Sequence, residues 1–165
     1  MDDAYHFHQT PADCARDLVA TLPLEPTDVL YEPFKGEGAF YNAFPDSPRL
    51  WSEITQGRDY KDMTDPYDWV ITNPPVRLEG ATGRVNAFWE LLNYFSDRAR
   101  KGIAFLGNDN CFATLTPKRI TQLQAKGWFI HSSTVVSIKK WRGRYFWVVF
   151  RKQPSPFYNA LTTNY

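Results

Sequence analysis

Cysteine is nearly absent, with two residues in a chain of 165. Cys14 and Cys111 stand far apart and belong to no Cys-x-x-Cys or Cys/His cluster, which argues against a zinc site and a disulfide framework. A reducing, intracellular compartment is the default. His6 and His8 could chelate a metal only with further ligands that the sequence does not supply, so they read as surface or loop histidines and no metal is expected. No apolar run reaches the roughly 18 residues a membrane span needs, and the acidic N-terminus has no apolar core like that of a secretory signal. Neither membrane insertion nor export is indicated, and the expected location is cytoplasmic, or nuclear in a eukaryotic cell.

Acidic residues are scarce in one region. Residues 101–165 carry ten Lys/Arg against Asp109 alone, a balance of +9, whereas residues 1–100 carry nine Lys/Arg against seventeen Asp/Glu, a balance of −8. Such a division suits a polyanionic partner on the basic side, or two halves that attract each other in the fold. The length, 43% hydrophobic and 16% aromatic content describe one ordinary globular domain.

Asp68-Trp69-Val70-Ile71-Thr72-Asn73-Pro74-Pro75-Val76 organises the rest. Trp69 to Thr72 crowds β-branched and aromatic residues without a polar alternate, the pattern of a strand buried on both faces. Two prolines end it and bias Asn73 towards an extended conformation in a stiff loop at the strand's carboxyl end, where open α/β sheets bind ligands. The Asn73 side-chain oxygen and the Pro74 carbonyl offer two acceptors on a rigid arc, suited to a planar NH2 group. Asn-Pro-Pro is also a good turn without any ligand.

Upstream, Thr10 and Pro11 read as an N-cap and first position of a helix running to Leu22. Asp28 to Glu32 is a strand, followed by Pro33-Phe34-Lys35-Gly36-Glu37-Gly38 and a helical run from Ala39 to Phe44. A strand, a glycine-bearing turn and a helix start form a cradle where backbone approaches a ligand closely. The acidic Glu32 at its edge would repel a phosphate and welcome an ammonium. Leu50 to Ile54 is a second strand; Glu53 near its end could accept hydrogen bonds from ribose hydroxyls, and Asp59 with Tyr60 could hydrogen-bond and stack on a purine.

Taken in order, Thr10-Pro11, Glu32 to Gly38, Glu53, Asp59-Tyr60 and Asn73-Pro74-Pro75-Val76 resemble the motifs of class I S-adenosylmethionine-dependent methyltransferases, specifically the DNA N6-adenine type. The resemblance covers roughly residues 8 to 107. It implies S-adenosyl-L-methionine as cofactor, with Glu32, Gly36 and Gly38 around its methionine moiety, Glu53 on the ribose, Asp59 and Tyr60 at the adenine, and Thr10, Phe34 and Asn73 as further cofactor contacts. Asn73 and Pro74, within the catalytic set Asn73, Pro74, Pro75 and Val76, would hold the target amine for direct methyl displacement. RNA adenine or a protein glutamine amide are alternative acceptors, each a planar amine. Val76 departs from the aromatic residue that members of this family carry after the two prolines. Either another ring substitutes, or the chain is an impaired nucleic-acid-binding module.

Further along, a loop from Arg77 to Val85, a helix from about Asn86 to Lys101 stopped by Gly102, a strand at Ile103 to Leu106, a polar loop at Gly107 to Thr114 and a helix over Thr116 to Ala125 are expected. Strands at Trp128 to Ile138 and Tyr145 to Lys152 flank Lys139, Lys140, Trp141, Arg142 and Arg144, a tip suited to phosphates and an unstacked base; the alternative is a solvated hairpin with Trp141 folded onto the core. With Arg77, these are the expected nucleic-acid contacts, DNA being favoured over RNA. The fold class is a three-layer, Rossmann-like α/β sandwich, its sheet mostly parallel with an antiparallel last strand. Only 14 residues separate Glu53 from Asp68, so the third strand should be vestigial or missing. Residues 1–165 read as one domain without a separate target-recognition domain, so specificity would come from loops or a protein partner.

Overall fold

The protein is described by a computed structural model over residues 9–78 and 87–155. His6, His8, most of the Arg77 to Val85 loop and the tail after Ser155 fall outside the described residues. Six strands, β1 (Leu30–Glu32), β2 (Arg49–Trp51), β3 (Trp69–Thr72), β4 (Gly102–Asn108), β5 (Phe129–Val136) and β6 (Tyr145–Arg151), form one sheet in the order β2-β1-β3-β4-β6-β5. The first four are parallel, and β6 enters antiparallel between β4 and β5. Among the described residues five helices accompany them: α1 (Ala12–Ala20), α2 (Ala39–Ala43), α3 (Ala87–Ser96), α4 (Asp109–Ala113) and α5 (Pro117–Ala125).

The pleat sorts the apolar residues into two cores. Trp69, Ile71, Ala104, Leu106, Trp147 and Val149 face α1 and α2, whereas Val70, Ile103, Phe105, Val148 and Phe150 face α3 and α5. Alternate residues of the same strands therefore serve opposite layers, which is why these strands read as continuous apolar runs. All four residues of β3 are buried, between β1 on one side and β4 on the other.

Between β2 and β3 the chain makes two single 3-10 turns, Ile54–Gln56 and Tyr60–Asp62, and no strand. Aromatic side chains fill the space instead. Tyr60, Met63 and Tyr67 pack on the α3-side core, with the Tyr67 ring 4.7 Å from Tyr31 and the Tyr60 ring 5.7 Å from Phe95. The missing third strand is thus replaced by an aromatic plug from the shortened connection.

Several boundaries differ from the sequence expectation. Pro11, not Thr10, is the N-cap of α1, with no side-chain cap, and the helix ends at Ala20. Thr10 is drawn away because its hydroxyl lies 3.4 Å from the Asn73 amide nitrogen. At α5 the same Thr-Pro pair behaves as expected, Thr116 accepting from the Arg119 amide at 3.3 Å. Gly107 to Thr114 is not a loop: β4 extends through Asn108, whose side chain caps α4 through the Cys111 amide at 3.0 Å.

Gly102 opens β4 and does not stop α3. It pairs with Trp69, whose indole lies flat against it; a Cβ there would sit 2.2 Å from Trp69 Cζ3. Gly102→Ala should therefore push the buried indole off its rotamer and destabilise the fold by about 1–3 kcal/mol. Urea denaturation should show a lowered midpoint at unchanged slope; an unshifted midpoint would mean that the indole moves aside freely.

Candidate functional site

The carboxyl ends of the parallel strands β1, β3 and β4 lie along one edge of the sheet, and the conspicuous residues of the sequence gather there. A cleft of about 550 Å³ opens at this edge, walled by Phe34, Gly36, Glu53, Asp59, Tyr60 and Arg77 among others. Its size suits a nucleoside-sized ligand. A smaller hollow beside it is lined by Thr10, Glu32, Phe34 and Asn73. Phe34 lines both.

The glycine turn makes the cleft floor. Gly36 and Gly38 have φ of 52° and 94°, in the left-handed region that other residues avoid. The Lys35 amide is tied to the Ser52 carbonyl at 3.0 Å and the Gly36 amide to Glu53 Oε2 at 2.7 Å, so the turn is anchored to the segment after β2. Gly38 is the N-cap of α2 and lines neither cavity, so it shapes the turn without facing the cleft.

Glu53 lies two residues beyond the end of β2, not in it. Its Oε1 accepts from the Thr55 amide at 3.1 Å and the Thr55 hydroxyl at 2.9 Å, capping the 3-10 turn. Burial alone would raise its carboxyl pKa, but the Gly36 and Thr55 amides, the Thr55 hydroxyl and the Lys35 charge outweigh burial and hold it below the usual value. Three of about four acceptor positions are used. A ligand hydroxyl can take the remaining one, and a second must displace Thr55.

Glu32 is the opposite case. It is 1% exposed, and burial holds its carboxyl well above the ordinary value, against the opposing pull of the Phe34 amide, which donates to it at 3.0 Å. A buried carboxylate adjoining a hollow is a strong draw for a cationic group, because ion pairing would offset the desolvation that now disfavours its charge.

Asp59 caps the second 3-10 turn through the Lys61 amide at 3.0 Å. The Tyr60 ring meets Phe34 at 5.2 Å, forming an aromatic corner of the cleft. Burial, with the neighbouring Asp59 charge, pushes the Tyr60 hydroxyl pKa up to about 12, so it remains a donor at neutral pH. Asn73 follows β3 directly and is half-buried, Pro74 is buried, Pro75 lines the cleft, and Val76 is 55% exposed. The Val76 carbonyl accepts from the Ala87 amide at 3.1 Å, which clamps the loop to the start of α3.

The basic tip is not gathered into the cleft; of the expected nucleic-acid contacts only Arg77 lines it. The tip does open at the same edge, because Tyr145 pairs with Asn108 at the carboxyl end of β4. Lys139 and Lys140 line a separate groove between α1 and β5, and Arg144 pairs with Asp109 at 3.2 Å. Trp141 is half-buried against the α1-side core, its ring 4.7 Å from Tyr145, as in the folded-back alternative. Gln9, Ile54, Thr55, Lys61 and Leu78 also line the cleft and were missed. Ile54 offered a signal: an apolar residue after an acidic one at a strand end, here 58% exposed on the cleft wall.

No protein-family model matches the chain, and no curated protein matches it by sequence. Solved structures do match in fold. TrmN from Thermus thermophilus superposes with a TM-score of 0.58 at 16% identity, over 86% of this chain and 49% of that one. Magnesium protoporphyrin IX methyltransferase from Synechocystis, a structure with bound S-adenosylmethionine, gives 0.59 at 13% identity, over 93% and 87%. The modification subunit of a provisionally assigned type I restriction enzyme from Vibrio vulnificus gives 0.61 at 14% identity, over 87% and 44%. This chain thus spans about half the length of the first and third. The shared feature is the Rossmann-like sandwich fold.

The two glutamates make a testable contrast. A carboxyl held above its ordinary pKa binds its proton more tightly in the folded state, so its contribution to stability falls as pH rises from the ordinary value, 4.5, towards the raised one. Glu32→Gln removes that cost while keeping an acceptor for the Phe34 amide. The variant should gain stability over the wild type at pH 8 and little at pH 4.5, read from denaturation midpoints at both. A gain independent of pH would show that Glu32 does not titrate as described.

Proposed function

We propose that this protein is an S-adenosylmethionine-dependent methyltransferase acting on the exocyclic N6 amine of adenine in DNA. The observation that carries the reading is Asn73-Pro74-Pro75 at the carboxyl end of the central, fully buried strand, beside a nucleoside-sized cleft in a methyltransferase fold. The residues present fit the cofactor. Glu32 in its hollow suits the methionine ammonium, Glu53 has an acceptor position for a ribose hydroxyl, and Ile54, Tyr60 and Phe34 offer apolar and aromatic surface for the adenine ring.

The bound sulfonium supplies an electrophilic methyl group. The protein's task is to present the amine, whose lone pair is delocalised into the purine and therefore poorly nucleophilic. Asn73 Oδ1 and the Pro74 carbonyl accept its two hydrogens, helping to pyramidalise the nitrogen and aim its lone pair. With the cofactor bound, the amine held by Asn73 and Pro74 would take the methyl group as the sulfur–carbon bond broke, and its surplus proton would leave to solvent. No covalent enzyme intermediate is required.

A nucleic acid is preferred over a protein amide because of the basic C-terminal third, whose exposed Lys139, Lys140 and Arg142 lie on the tip at the site's edge; DNA is put ahead of RNA by the resemblance of the ordered motifs alone. Target specificity would come from loops of this domain or from a protein partner.

Calorimetry should show one S-adenosylmethionine per chain. Glu53→Ala should weaken it tenfold or more, since hydrogen bonds to a charged acceptor contribute about 1.5–3 kcal/mol, part of the loss arising through the released Gly36 turn. No binding to the wild type would sink the reading.

Asn73→Ala should reduce labelled-methyl transfer by roughly a hundredfold or more while leaving cofactor affinity within a few-fold, the signature of a group that acts on the acceptor. Equal loss of both would place Asn73 on the cofactor instead. Running the transfer assay against DNA, RNA and protein decides the acceptor.

A further inference from the structure

We infer that the site takes an adenine that is already unpaired, in single-stranded DNA, and not one extruded from a duplex; the inference rests on the methyl-transfer reading above. A base drawn out of a duplex loses its pairing and both stacking neighbours, and enzymes that extrude bases recover part of that loss by stacking the base in the pocket. One aromatic platform changes base affinity by roughly 5- to 150-fold. By the resemblance, the place for such a platform is the residue after the two prolines, and here it is Val76, a β-branched aliphatic.

Val76 is not buried in compensation for some other ring. It is 55% exposed, and its carbonyl is tied to the Ala87 amide at 3.1 Å, so the loop is held with the isopropyl group outward. The ten residues from Arg77 to Asn86 contain no aromatic side chain. Among the described residues, rings at this end of the sheet have partners of their own: Trp89 of α3, two residues beyond Ala87, has the Arg119 guanidinium 5.1 Å from its ring centre. Phe34 and Tyr60 pack on each other in the cofactor cleft at 5.2 Å. Phe112 and Phe146 stack on each other at 4.7 Å and 24°, and Trp141 is folded onto Tyr145 at 4.7 Å.

What the site does provide is the Asn73 and Pro74 acceptor pair, which recognises the amine but offers no replacement for lost stacking. An adenine in a flexible single strand arrives without the extrusion cost, so that pair and phosphate contacts from the exposed tip suffice.

The test compares labelled-methyl transfer to one adenine-containing sequence as single strand and as duplex. The single strand should be preferred at least tenfold. Val76→Phe adds a platform for the bound adenine whichever form supplies it, so it should raise transfer to the duplex by roughly 5- to 150-fold. The exposed position makes that variant compatible with folding, which a thermal melt verifies. Equal wild-type rates on the two forms, or duplex transfer unmoved by Val76→Phe, would overturn the inference. A protein that binds cofactor but methylates neither form would defeat the methyl-transfer reading. Strandedness is then decided by fluorescence anisotropy of the same labelled DNAs with S-adenosylhomocysteine present: a tenfold single-strand preference supports the inference, and its absence overturns it.

Discussion

The complete burial of β3 constrains everything around it. A four-residue strand with no polar face can resume contact with water only at its two ends, and the chain places a polar device at each. At the amino end, Asp68 accepts from the Val29 amide at 2.8 Å and pairs with Arg100 at 3.1 Å, which ties β3 to the start of β1 and to the turn before β4. At the other end, Asn73 and the two prolines emerge as a loop that cannot donate backbone hydrogen bonds from either proline. Position and stiffness of the candidate acceptor pair thus follow from the packing of Trp69, Val70 and Ile71.

Two carboxylates on neighbouring strand ends have been given opposite electrostatic environments. Glu53 is surrounded by amide and hydroxyl donors and held ionised, whereas Glu32 is enclosed by apolar sheet and helix and disfavours its own charge. The same residue type can therefore present a fixed anion to hydroxyls and a latent one to a cation. The environment is set by which side of the glycine turn each occupies, not by the residue itself.

The charge division of the sequence is partly consumed by the fold. Lys101 pairs with Glu25 and Asp28, Lys126 with Asp97, and Arg144 with Asp109, so cations of the last third are drawn onto acids, three of them from the first hundred residues. The pairs in which both partners are exposed contribute little stability individually, whereas the Asp28 carboxylate is buried. Their effect is on availability: of the tip cations Arg144 is engaged, while Lys139, Lys140 and Arg142 stay exposed at the site's edge.

The sequence alone determined the elements whose signals are local. β3 is legible from its β-branched run and the prolines that end it, α5 from Thr116 and Pro117, and the missing strand from the fourteen residues between Glu53 and Asp68. The gathering of Glu32, Glu53, Asp59 and Tyr60 at one edge followed from strand order, since parallel strands must all end on the same side. What only the tertiary structure decided rests on contacts between distant segments. Thr10 could cap a helix or approach Asn73, 63 residues away, and local propensity does not see the second choice. Gly102 resembles a helix stop until the Trp69 indole is placed against it. Trp141 was free, by composition, to stand over a base or to cover the core; the apolar α1 face and Tyr145 supply the nearer surface, and burial against them settled it.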